Sequence, residues 1–241
     1  MHQNFTTTTV AYIKRTNSKA FTLGVHKTAL EFEAGQFTRL ALELNGEIIT
    51  RPYSFSSHKK DMFFEFYITP IEDGKLSPQI NNLKPGDKIK IANSANGHIT
   101  PASIPKSKYL WFFVTGTGVG LAQSLIRDKS ILKNHEKIII VHGIRTEADI
   151  IEPQELSLKE NTHYLACTSN PSIKTQYQGR IWENIKNITS KDEKDLSPLN
   201  SYVVLCGNPE MIKEGKRFFE ARGFSLQKGE TKGNLIHERY W

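Results

Sequence analysis

The sequence is poor in the residues that hold metals and disulfides. Cys167 and Cys206 are the two cysteines among 241 residues, and the absence of a Cys-x-x-Cys pair excludes a zinc ribbon or a cysteine-held iron–sulfur cluster. The eight histidines show no His-Glu-x-x-His spacing. We therefore expect no metal site, and the scarcity of cysteine favours a reducing cytoplasm as the location of the protein.

Long apolar runs and concentrated charge are also missing. No stretch approaches the roughly 18 apolar residues of a membrane-spanning helix, and residues 1–30 lack the apolar segment and cleavage site of a signal peptide. The 32 basic and 25 acidic side chains give a net charge of +7 without a polybasic tail. A diffuse basic surface attracts phosphorylated cofactors, acidic proteins, anionic lipid or nucleic acid, and charge alone does not decide among them.

Short β-type patterns dominate the amino-terminal part of the chain. Residues 37–42 alternate with period two, and Asn45-Gly46 is a strong hairpin signal directly after them. Ser77 and Pro78 predict the N-cap and first residue of one short helix. Six strands with little helix indicate a small antiparallel barrel, which we assign to residues 1–102. The predicted strands cover residues 6–15, 21–25, 37–42, 47–55, 62–69 and 88–92.

A segment rich in Ser, Asn, Gly and Pro, residues 93–108, separates this pattern from a strand–helix rhythm. Residues 109–114 form a continuous apolar run, as a parallel strand buried on both faces requires. The rhythm predicts an open, mostly parallel α/β domain over residues 106–241. Its further predicted elements are strands at 138–141, 164–168 and 202–205, helices at 121–133, 147–153 and 210–221, a solvated loop at 190–195, and a closing strand and tail at 235–241.

The stretch Arg51-Pro52-Tyr53-Ser54 places a cation, an aromatic ring and a hydroxyl at the end of one predicted strand. A flavin nucleotide offers the matching anionic part, flat ring and polar ring edge, so these residues are candidates for one wall of such a site. Lys75 adds a cation near the predicted helix start, where free backbone N–H groups favour an anion. A plain capped helix also explains the second feature, and taken by itself this feature favours that simpler interpretation.

Two further motifs follow predicted parallel strands, at the sheet edge where ligands bind in open α/β folds. Thr115-Gly116-Thr117-Gly118-Val119-Gly120 opens a helix, but its glycine spacing departs from the Gly-x-Gly-x-x-Gly dinucleotide fingerprint. Cys206-Gly207-Asn208-Pro209-Glu210 ends another strand, although Cys206 alone is typical of a buried structural thiol. The aromatic ending Tyr240-Trp241 requires a partner surface, which is the core, a second copy of the chain or a stacked ligand ring.

Taken in order, these motifs resemble those of the bacterial ferredoxin/flavodoxin–NADP⁺ reductases. The resemblance extends over nearly the whole chain, and the Tyr-Trp ending is similar to that of the shorter bacterial group. It rests on Arg-x-Tyr-Ser (51–54), Gly-Lys-Leu-Ser-Pro (74–78), Thr-Gly-Thr-Gly-x-Gly (115–120), Cys-Gly-Asn-Pro-x-Met (206–211) and Glu-x-Tyr-Trp (238–241).

The resemblance implies that the barrel holds FAD. Arg51 would pair with the pyrophosphate, Tyr53 would stack on one face of the isoalloxazine ring, and Ser54 would hydrogen-bond near flavin N5. Tyr240 would cover the other face, and Trp241 would stack on the adenine. The remaining implied FAD contacts are Pro52, Phe66, Tyr67, Ile68, Lys75, Leu76, Ser77 and Thr117.

The same resemblance implies that the α/β domain binds NADP(H). Arg145 and Arg180 match positions that grip the 2′-phosphate in this family, whereas a third arginine of the family pattern is replaced by Asn170. Lys174 lies nearby as a substitute cation, so Asn170 weakens the expected preference for NADP over NAD without abolishing it. The other implied NADP contacts are Thr115, Gly116, Ile144, Ser169, Gly207, Asn208 and Glu210.

The implied activity is hydride transfer between nicotinamide C4 and flavin N5, followed by single-electron transfer to or from ferredoxin or flavodoxin. The implied catalytic residues are Ser54, Cys206, Glu238 and Tyr240, with Tyr240 moving aside for the nicotinamide. A basic surface suits the docking of an acidic carrier protein. We expect a monomer without nucleic-acid or membrane partners.

Two other functions remain open from the sequence. An NAD(P)H-dependent flavin or ferric reductase, or the reductase part of an oxygenase, would use the same cofactors. The oxygenase type is disfavoured, because this sequence has no cysteine-rich iron–sulfur domain. A non-enzymatic basic module that binds nucleic acid is disfavoured, because the aromatic residues do not interleave with Lys or Arg on any one stretch.

Overall fold

The computed structural model of the protein describes residues 4–17, 19–151, 156, 160–189, 196–229 and 231–240. Within these residues the chain forms two six-stranded sheets, the first from its amino-terminal part and the second from its carboxyl-terminal part. The predicted class, an antiparallel barrel followed by a mostly parallel α/β domain, is confirmed.

The strands of the first sheet are β1 (Phe5–Arg15), β2 (Phe21–His26), β3 (Phe37–Leu44), β4 (Glu47–Ser54), β5 (Phe63–Ile68) and β6 (Lys88–Ala92). They are antiparallel and run in the order β4-β3-β6-β1-β2-β5. Asn45 and Gly46 form the β3–β4 hairpin with φ angles of 52° and 81°, the left-handed geometry that Asn-Gly turns require. Phe55, directly after β4, bridges to Phe66 of β5. The two edge strands therefore meet, and the sheet closes as a barrel.

Aromatic side chains fill the barrel core beside the end of β4. Phe32 stacks on Phe55 with ring centroids 3.8 Å apart, and Phe55 packs against Phe66 at 5.0 Å. Phe55 and Phe66 have no exposed surface, and burying a side chain of this size contributes roughly 1.5–3 kcal/mol. The buried ring of Phe55 thus fixes the position of its neighbour Ser54.

The short helix of the barrel differs from the prediction at its first residues. Helix α1 (Ser77–Asn81) has Leu76 at its N-cap position, with no side-chain cap. The Ser77 hydroxyl instead accepts a hydrogen bond from the backbone N–H of Ile71 at 3.0 Å. The prediction that Ser77 caps the helix is wrong, because a nearby turn takes up its hydroxyl. Pro78 occupies the first helical turn, where its missing N–H costs nothing.

The strands of the second sheet are β7 (Tyr109–Thr115), β8 (Lys137–Ile144), β9 (Thr162–Thr168), β10 (Tyr177–Gln178), β11 (Ser201–Gly207) and β12 (Leu235–Arg239). All neighbours pair in parallel, in the order β10-β9-β8-β7-β11-β12. The described helices of this part are α2 (Val119–Ile126), α3 (Lys129–Asn134), α4 (Ile181–Thr189) and α5 (Pro209–Glu220). None of the described helices is long and apolar enough to cross a membrane.

Helices cover both faces of this sheet. Side chains of a strand point alternately to opposite faces, so Leu110 and Phe112 of β7 pack in the core that contains α2. Trp111 and Phe113 pack on the opposite face, in the core that contains residues of α4 and α5. The continuous apolar run at 109–114 therefore has the two-sided burial that the sequence predicts.

The helical predictions for this part are only partly correct. The predicted helix 121–133 is two helices: α2 ends at Ile126, and Asp128 caps the start of α3 by accepting the N–H of Ser130 at 2.8 Å. The predicted helix near 147–153 is a 3₁₀ turn at Glu147–Asp149. Helix α4 was not predicted, although Ile181, Ile185 and Ile188 have helical spacing. Residues 152–155 and the predicted loop 190–195 lie outside the described residues.

Polar contacts fix the two sheets relative to each other. Arg127, between α2 and α3, places one guanidinium nitrogen 2.9 Å from Asp61 and 2.7 Å from Glu65 of the barrel. The hydroxyl of Ser124 donates to the backbone carbonyl of Ser57 at 2.6 Å. The carboxyl-terminal end of α2 is therefore held in a defined position against the barrel.

We predict that Arg127→Met lowers the free energy of unfolding by about 1–3 kcal/mol, because it leaves two partly buried carboxylates without their cation. Urea denaturation measures this loss. Lys213→Met is the matched control, since Lys213 and Glu210 form a pair that is 55% and 71% exposed and contributes at most about 1 kcal/mol. Equal losses in the two variants would contradict the role assigned to Arg127.

Candidate active site

The end of the described chain meets the end of barrel strand β4. The Oγ of Ser54 lies 2.7 Å from the hydroxyl of Tyr240, although 186 residues separate the two. The backbone N–H of Tyr240 donates to the carbonyl of Gly207 at 3.0 Å. Tyr240 is therefore held by the barrel through its side chain and by β11 through its backbone.

Cys206 and Glu238 lie side by side next to the contact between Ser54 and Tyr240. They are register partners in the parallel pair of β11 and β12. Cys206 is fully buried, and the Tyr240 hydroxyl hydrogen-bonds to its thiol. Burial and the neighbouring Glu238 carboxylate raise the pKa of Cys206 far above its ordinary value, so the thiol stays protonated and is not a thiolate nucleophile.

Glu238 carries the unsatisfied polar atom of this cluster. Its Oε1 is buried and has no hydrogen-bond partner among the described residues. Burial raises the pKa of the carboxyl group from 4.5 to about 7. A carboxyl group with this pKa changes its protonation at neutral pH, and an unpaired buried oxygen of this kind is one that a ligand, ion or water commonly completes.

Two glycines allow the loops around this cluster to approach closely. A Cβ atom on Gly118 would lie 2.8 Å from the carbonyl oxygen of Cys206. Gly207 has a φ of +126°, and a Cβ there would lie 2.2 Å from the Thr115 hydroxyl. That hydroxyl accepts the backbone N–H of Asn208 at 2.8 Å. The Thr115 hydroxyl therefore joins the two loops, a structural role that the sequence did not indicate.

His142 supports the glycine loop from inside the sheet and was missed by the sequence reasoning. Its Nε2 lies 2.8 Å from the carbonyl oxygen of Gly116, and its Nδ1 lies 2.8 Å from the hydroxyl of Tyr164. Burial lowers its pKa from 6.5 to about 4, so the ring is neutral at neutral pH. The available signal was one polar residue in the otherwise apolar run of β8.

The ends of β8 and β9 bring together part of the predicted NADP set. The backbone N–H of Ser169 donates to the carbonyl of Ile144 at 3.0 Å, and that of Asn170 donates to the carbonyl of Arg145 at 2.7 Å. Arg145 and Asn170 are thus neighbours at the carboxyl edge of the sheet, and both are exposed. Arg180 is exposed just before α4, and its backbone N–H donates to the Glu183 carboxylate at 2.9 Å.

The structure separates exposed from buried members of the predicted FAD set. Arg51 is exposed, and its guanidinium donates to the backbone carbonyl of Thr50 at 2.7 Å. Tyr53 is half-buried, and burial raises its pKa to about 12. Of the others, Pro52 and Lys75 are exposed, Thr117 is half-buried, and Phe66, Tyr67, Ile68, Leu76 and Ser77 are buried.

The side chains of Phe66 and Ile68 belong to the barrel core, whereas Tyr67 belongs to the core of the second sheet. These three side chains are therefore core residues, and a contact of this strand with a ligand would be made by its backbone. Glu210 and Asn208 are exposed at the start of α5, where the Asn208 side chain accepts the N–H groups of Glu210 and Met211. Trp241 lies outside the described residues.

The residues present fit a flavin nucleotide. Two half-buried rings adjoin Ser54: Tyr53 precedes it in the chain and Tyr240 contacts its hydroxyl. The unpaired buried oxygen of Glu238 belongs to the same cluster, since the Glu238 carboxylate acts on Tyr240. Among the described residues no carboxylate pairs with Arg51, so its guanidinium is available to an anion. In the same described ranges, no group of three or more His, Cys, Asp or Glu side chains converges as metal ligands do.

Two surface cavities lie far from this cluster. They measure about 320 and 780 Å³ and are lined by residues at the amino-terminal ends of β7, β8 and β9, including Lys108, Lys137 and Asn161. Ligands of open parallel sheets bind at the opposite, carboxyl edge, so we place the candidate site at Ser54, Cys206, Glu238 and Tyr240.

We predict that Glu238→Gln stabilises the protein increasingly as pH rises. A raised pKa in the folded state means that folding favours the protonated carboxyl group, so its ionisation costs stability between about pH 4.5 and 7. The gain in free energy of unfolding should rise from near zero at pH 4.5 to at most about 3 kcal/mol above pH 7. Glu214→Gln, at an exposed position on α5, is the matched control. A gain that does not change with pH would refute the assignment.

Family comparisons agree with this arrangement. Residues 9–100 match the model of the oxidoreductase FAD-binding domain, and residues 112–217 match that of the oxidoreductase NAD-binding domain. The flavodoxin/ferredoxin–NADP reductase of Escherichia coli (strain K12) is 30% identical over 96% of this chain and 97% of its own length. The ferredoxin–NADP reductase of Azotobacter vinelandii is 25% identical over 88% of each chain.

The fold is also shared with solved structures. A ferredoxin NADP⁺ reductase from Neisseria gonorrhoeae with bound FAD and NADP is similar with a TM-score of 0.89 at 24% identity, covering 98% of each chain. A ferredoxin–NADP⁺ reductase from Plasmodium falciparum with 2′P-AMP gives a TM-score of 0.75 at 18% identity over 98% of this chain and 96% of its own. Together with the match to the E. coli enzyme over nearly its full length, the motifs, the fold and the site lead to one conclusion: the chain belongs to the flavodoxin/ferredoxin–NADP reductase family of oxidoreductases.

Proposed function

We propose that the protein exchanges electrons between NADP(H) and a ferredoxin or flavodoxin, with FAD as its bound cofactor. The observation that carries the proposal is the 2.7 Å contact between Ser54 and Tyr240, which unites the two sheets at one site in a chain of this family. FAD, when bound, accepts or returns a hydride at N5 opposite nicotinamide C4 and exchanges single electrons with the carrier protein.

On the barrel side, Arg51, Tyr53 and Ser54 bind and orient the flavin nucleotide. The exposed guanidinium of Arg51 presents a planar pair of donors to the pyrophosphate, and the exposed ammonium of Lys75 adds a second cation. Tyr53 would lie against one face of the bound ring, and the Ser54 hydroxyl would donate at its N5 edge. The remaining proposed FAD contacts are Pro52, Leu76, Ser77, Thr117 and Trp241, together with the backbone of Phe66, Tyr67 and Ile68.

On the side of the second sheet, Tyr240 covers the other ring face and excludes water until a nicotinamide ring takes its place. Its departure breaks the hydrogen bonds to Ser54 and Cys206, which frees the Ser54 hydroxyl to orient the reacting edge. Glu238 holds or releases a proton at Oε1 near neutral pH. The Cys206 thiol stays protonated, so it adds no negative charge against the incoming dinucleotide.

Arg145 and Arg180 are the proposed ligands of the 2′-phosphate, with Ser169, Asn170 and Lys174 at the same edge. Asn170 supplies an amide where a guanidinium would make charge-assisted bonds, so we propose a preference for NADPH that is weaker than three cations would give. The other proposed NADP(H) contacts are Thr115, Gly116, Ile144, Gly207, Asn208 and Glu210.

We further propose that the carrier is acidic, because the chain carries a net charge of +7 and opposite charge speeds and orients docking. A cytoplasmic monomer is the proposed working form. Residues 1–102 and 106–241 are the proposed FAD-binding and NADP(H)-binding domains, since β6 ends at Ala92 and β7 begins at Tyr109.

An absorption spectrum of the purified protein, followed by anaerobic titration with NADPH, tests the proposal. We expect a bound flavin that NADPH bleaches, and NADPH-dependent reduction of an added flavodoxin or ferredoxin. A colourless protein that takes up no FAD would refute the proposal. Faster reduction of free flavin or ferric iron than of either carrier would assign the chain to a flavin or ferric reductase instead.

We predict that Asn170→Arg raises the ratio of kcat/KM for NADPH to that for NADH by about tenfold, as one added charge-assisted bond to a phosphate would. The new guanidinium would emerge beside Arg145, since the Asn170 backbone is bonded to that residue. Leu199→Arg adds the same charge at a residue that is 96% exposed before β11, and should leave the ratio unchanged. An equal shift in both variants would contradict a local effect.

A further inference from the structure

His142 is a buried polar residue that the proposed mechanism does not use. It lies on β8 between its register partners Val114 and Ala166, and its side chain is 1% exposed. A polar ring costs free energy in such a place unless its nitrogens are hydrogen-bonded. Both ring nitrogens have partners, at 2.8 Å each.

The partners fix which nitrogen carries the proton. The carbonyl of Gly116 can only accept, so Nε2 carries the hydrogen and donates it. In the neutral ring Nδ1 is then an acceptor, and the Tyr164 hydroxyl donates to it. The Tyr164 oxygen in turn takes the backbone N–H of Ile151. The N–H of Ile151, the hydroxyl of Tyr164 and the Nε2–H of His142 therefore each donate to the next group, and the series ends at the carbonyl of Gly116 in the glycine loop.

The contact with Gly116 determines how the first peptide of that loop faces. Gly116 is exposed with a φ of +51°, a left-handed conformation that glycine adopts without the cost of a Cβ atom. The peptide bonds of the described residues are trans, so the C=O of Gly116 and the N–H of Thr117 point in opposite directions. A carbonyl held inward by His142 turns the Thr117 N–H outward.

The opposite side of the loop is fixed independently. The Thr115 hydroxyl accepts the N–H of Asn208, which holds the loop toward β11, whereas His142 holds it toward β8. The Gly116 carbonyl also accepts the N–H of Val119, which uses its second lone pair. The loop is thus held from both neighbouring strands, and His142 adds to the Val119 N–H a second bond that sets the direction of the Gly116–Thr117 peptide.

We propose that His142 is a positioning residue for the nicotinamide dinucleotide, and that it acts by fixing the Gly116–Thr117 peptide so that the Thr117 N–H faces the bound dinucleotide. This inference rests on the proposed function, because it takes the glycine loop as part of the NADP(H) site. The donor is the Nε2–H of the neutral His142 imidazole on β8, and the affinity for the dinucleotide depends on this donor. The Thr117 side chain stays a proposed FAD contact, and the N–H of the same residue is the part assigned to the dinucleotide.

Variants of His142 whose side chains differ in length test the inference in the FAD-loaded protein. The amide nitrogen of His142→Gln reaches about as far as Nε2, whereas that of His142→Asn reaches about as far as Nδ1 and misses the Gly116 carbonyl. His142→Leu removes both contacts. His163→Asn, at an exposed position on β9, is the control for loss of a histidine. The readouts are the Kd of NADP⁺ from the flavin difference spectrum, the limiting rate of flavin reduction by NADPH, and Tm.

We expect His142→Gln to bind NADP⁺ within about twofold of the wild type, and His142→Asn and His142→Leu to bind it about five- to tenfold more weakly, as loss of one hydrogen bond implies. Tm should fall in all three variants, and FAD content should not change. Tyr164→Phe, which removes the donor to Nδ1 and keeps the ring, should weaken NADP⁺ binding about twofold.

A Kd in His142→Asn equal to that of the wild type would overturn the inference, as would a His142→Gln variant that binds as weakly as His142→Asn. If His142→Leu fails to fold, the comparison of the Gln and Asn variants still decides. A wild-type protein that holds flavin and binds no NADP⁺ would refute the proposed function, and with it this inference. By contrast, NADP⁺ binding that is as tight in every variant as in the wild type would overturn this inference and leave the proposed function standing.

Discussion

The parallel pairing of β12 with β11 is the constraint on which the site depends. It sets Glu238 beside Cys206 and carries Tyr240 past the edge of the sheet, where its hydroxyl meets Ser54 of the barrel. Neither sheet forms the site alone. The ion pairs of Arg127 hold the sheets together at a second place, so the contact between Ser54 and Tyr240 is made between two bodies already fixed relative to each other.

Burial divides the site into a neutral interior and a cationic margin. Cys206, Glu238 and His142 have pKa values displaced toward their neutral forms because burial penalises charge. The cations Arg51 and Arg145 are exposed. An electron-carrying dinucleotide has its reactive flat ring at one end, its pyrophosphate in the middle and its adenine at the other end. This distribution of charge suits a ligand that inserts its ring and leaves its phosphates at the margin.

The sequence predicts most of the strands well, because alternation, the Asn-Gly turn and the apolar run at 109–114 are local patterns, although the two-residue strand β10 was missed. It predicts helix ends poorly. The Ser77 hydroxyl is taken by Ile71, and Asp128 divides one predicted helix into two, since each outcome depends on neighbours brought close by folding. The site motifs were visible as residue types, whereas the roles of His142 and of the Thr115 hydroxyl follow from contacts across strands.

A double-mutant cycle on Ser54 and Tyr240 tests the central claim most directly, with the Kd of FAD as the measured quantity. Ser54→Ala and Tyr240→Phe each remove one hydroxyl and keep the backbone and the aromatic ring in place. If the two residues form one wall of the flavin site, the loss in the double variant will be smaller than the sum of the single losses by about 0.5–1 kcal/mol. Losses that add would contradict the account, because they would mean that the two hydroxyls act at separate places.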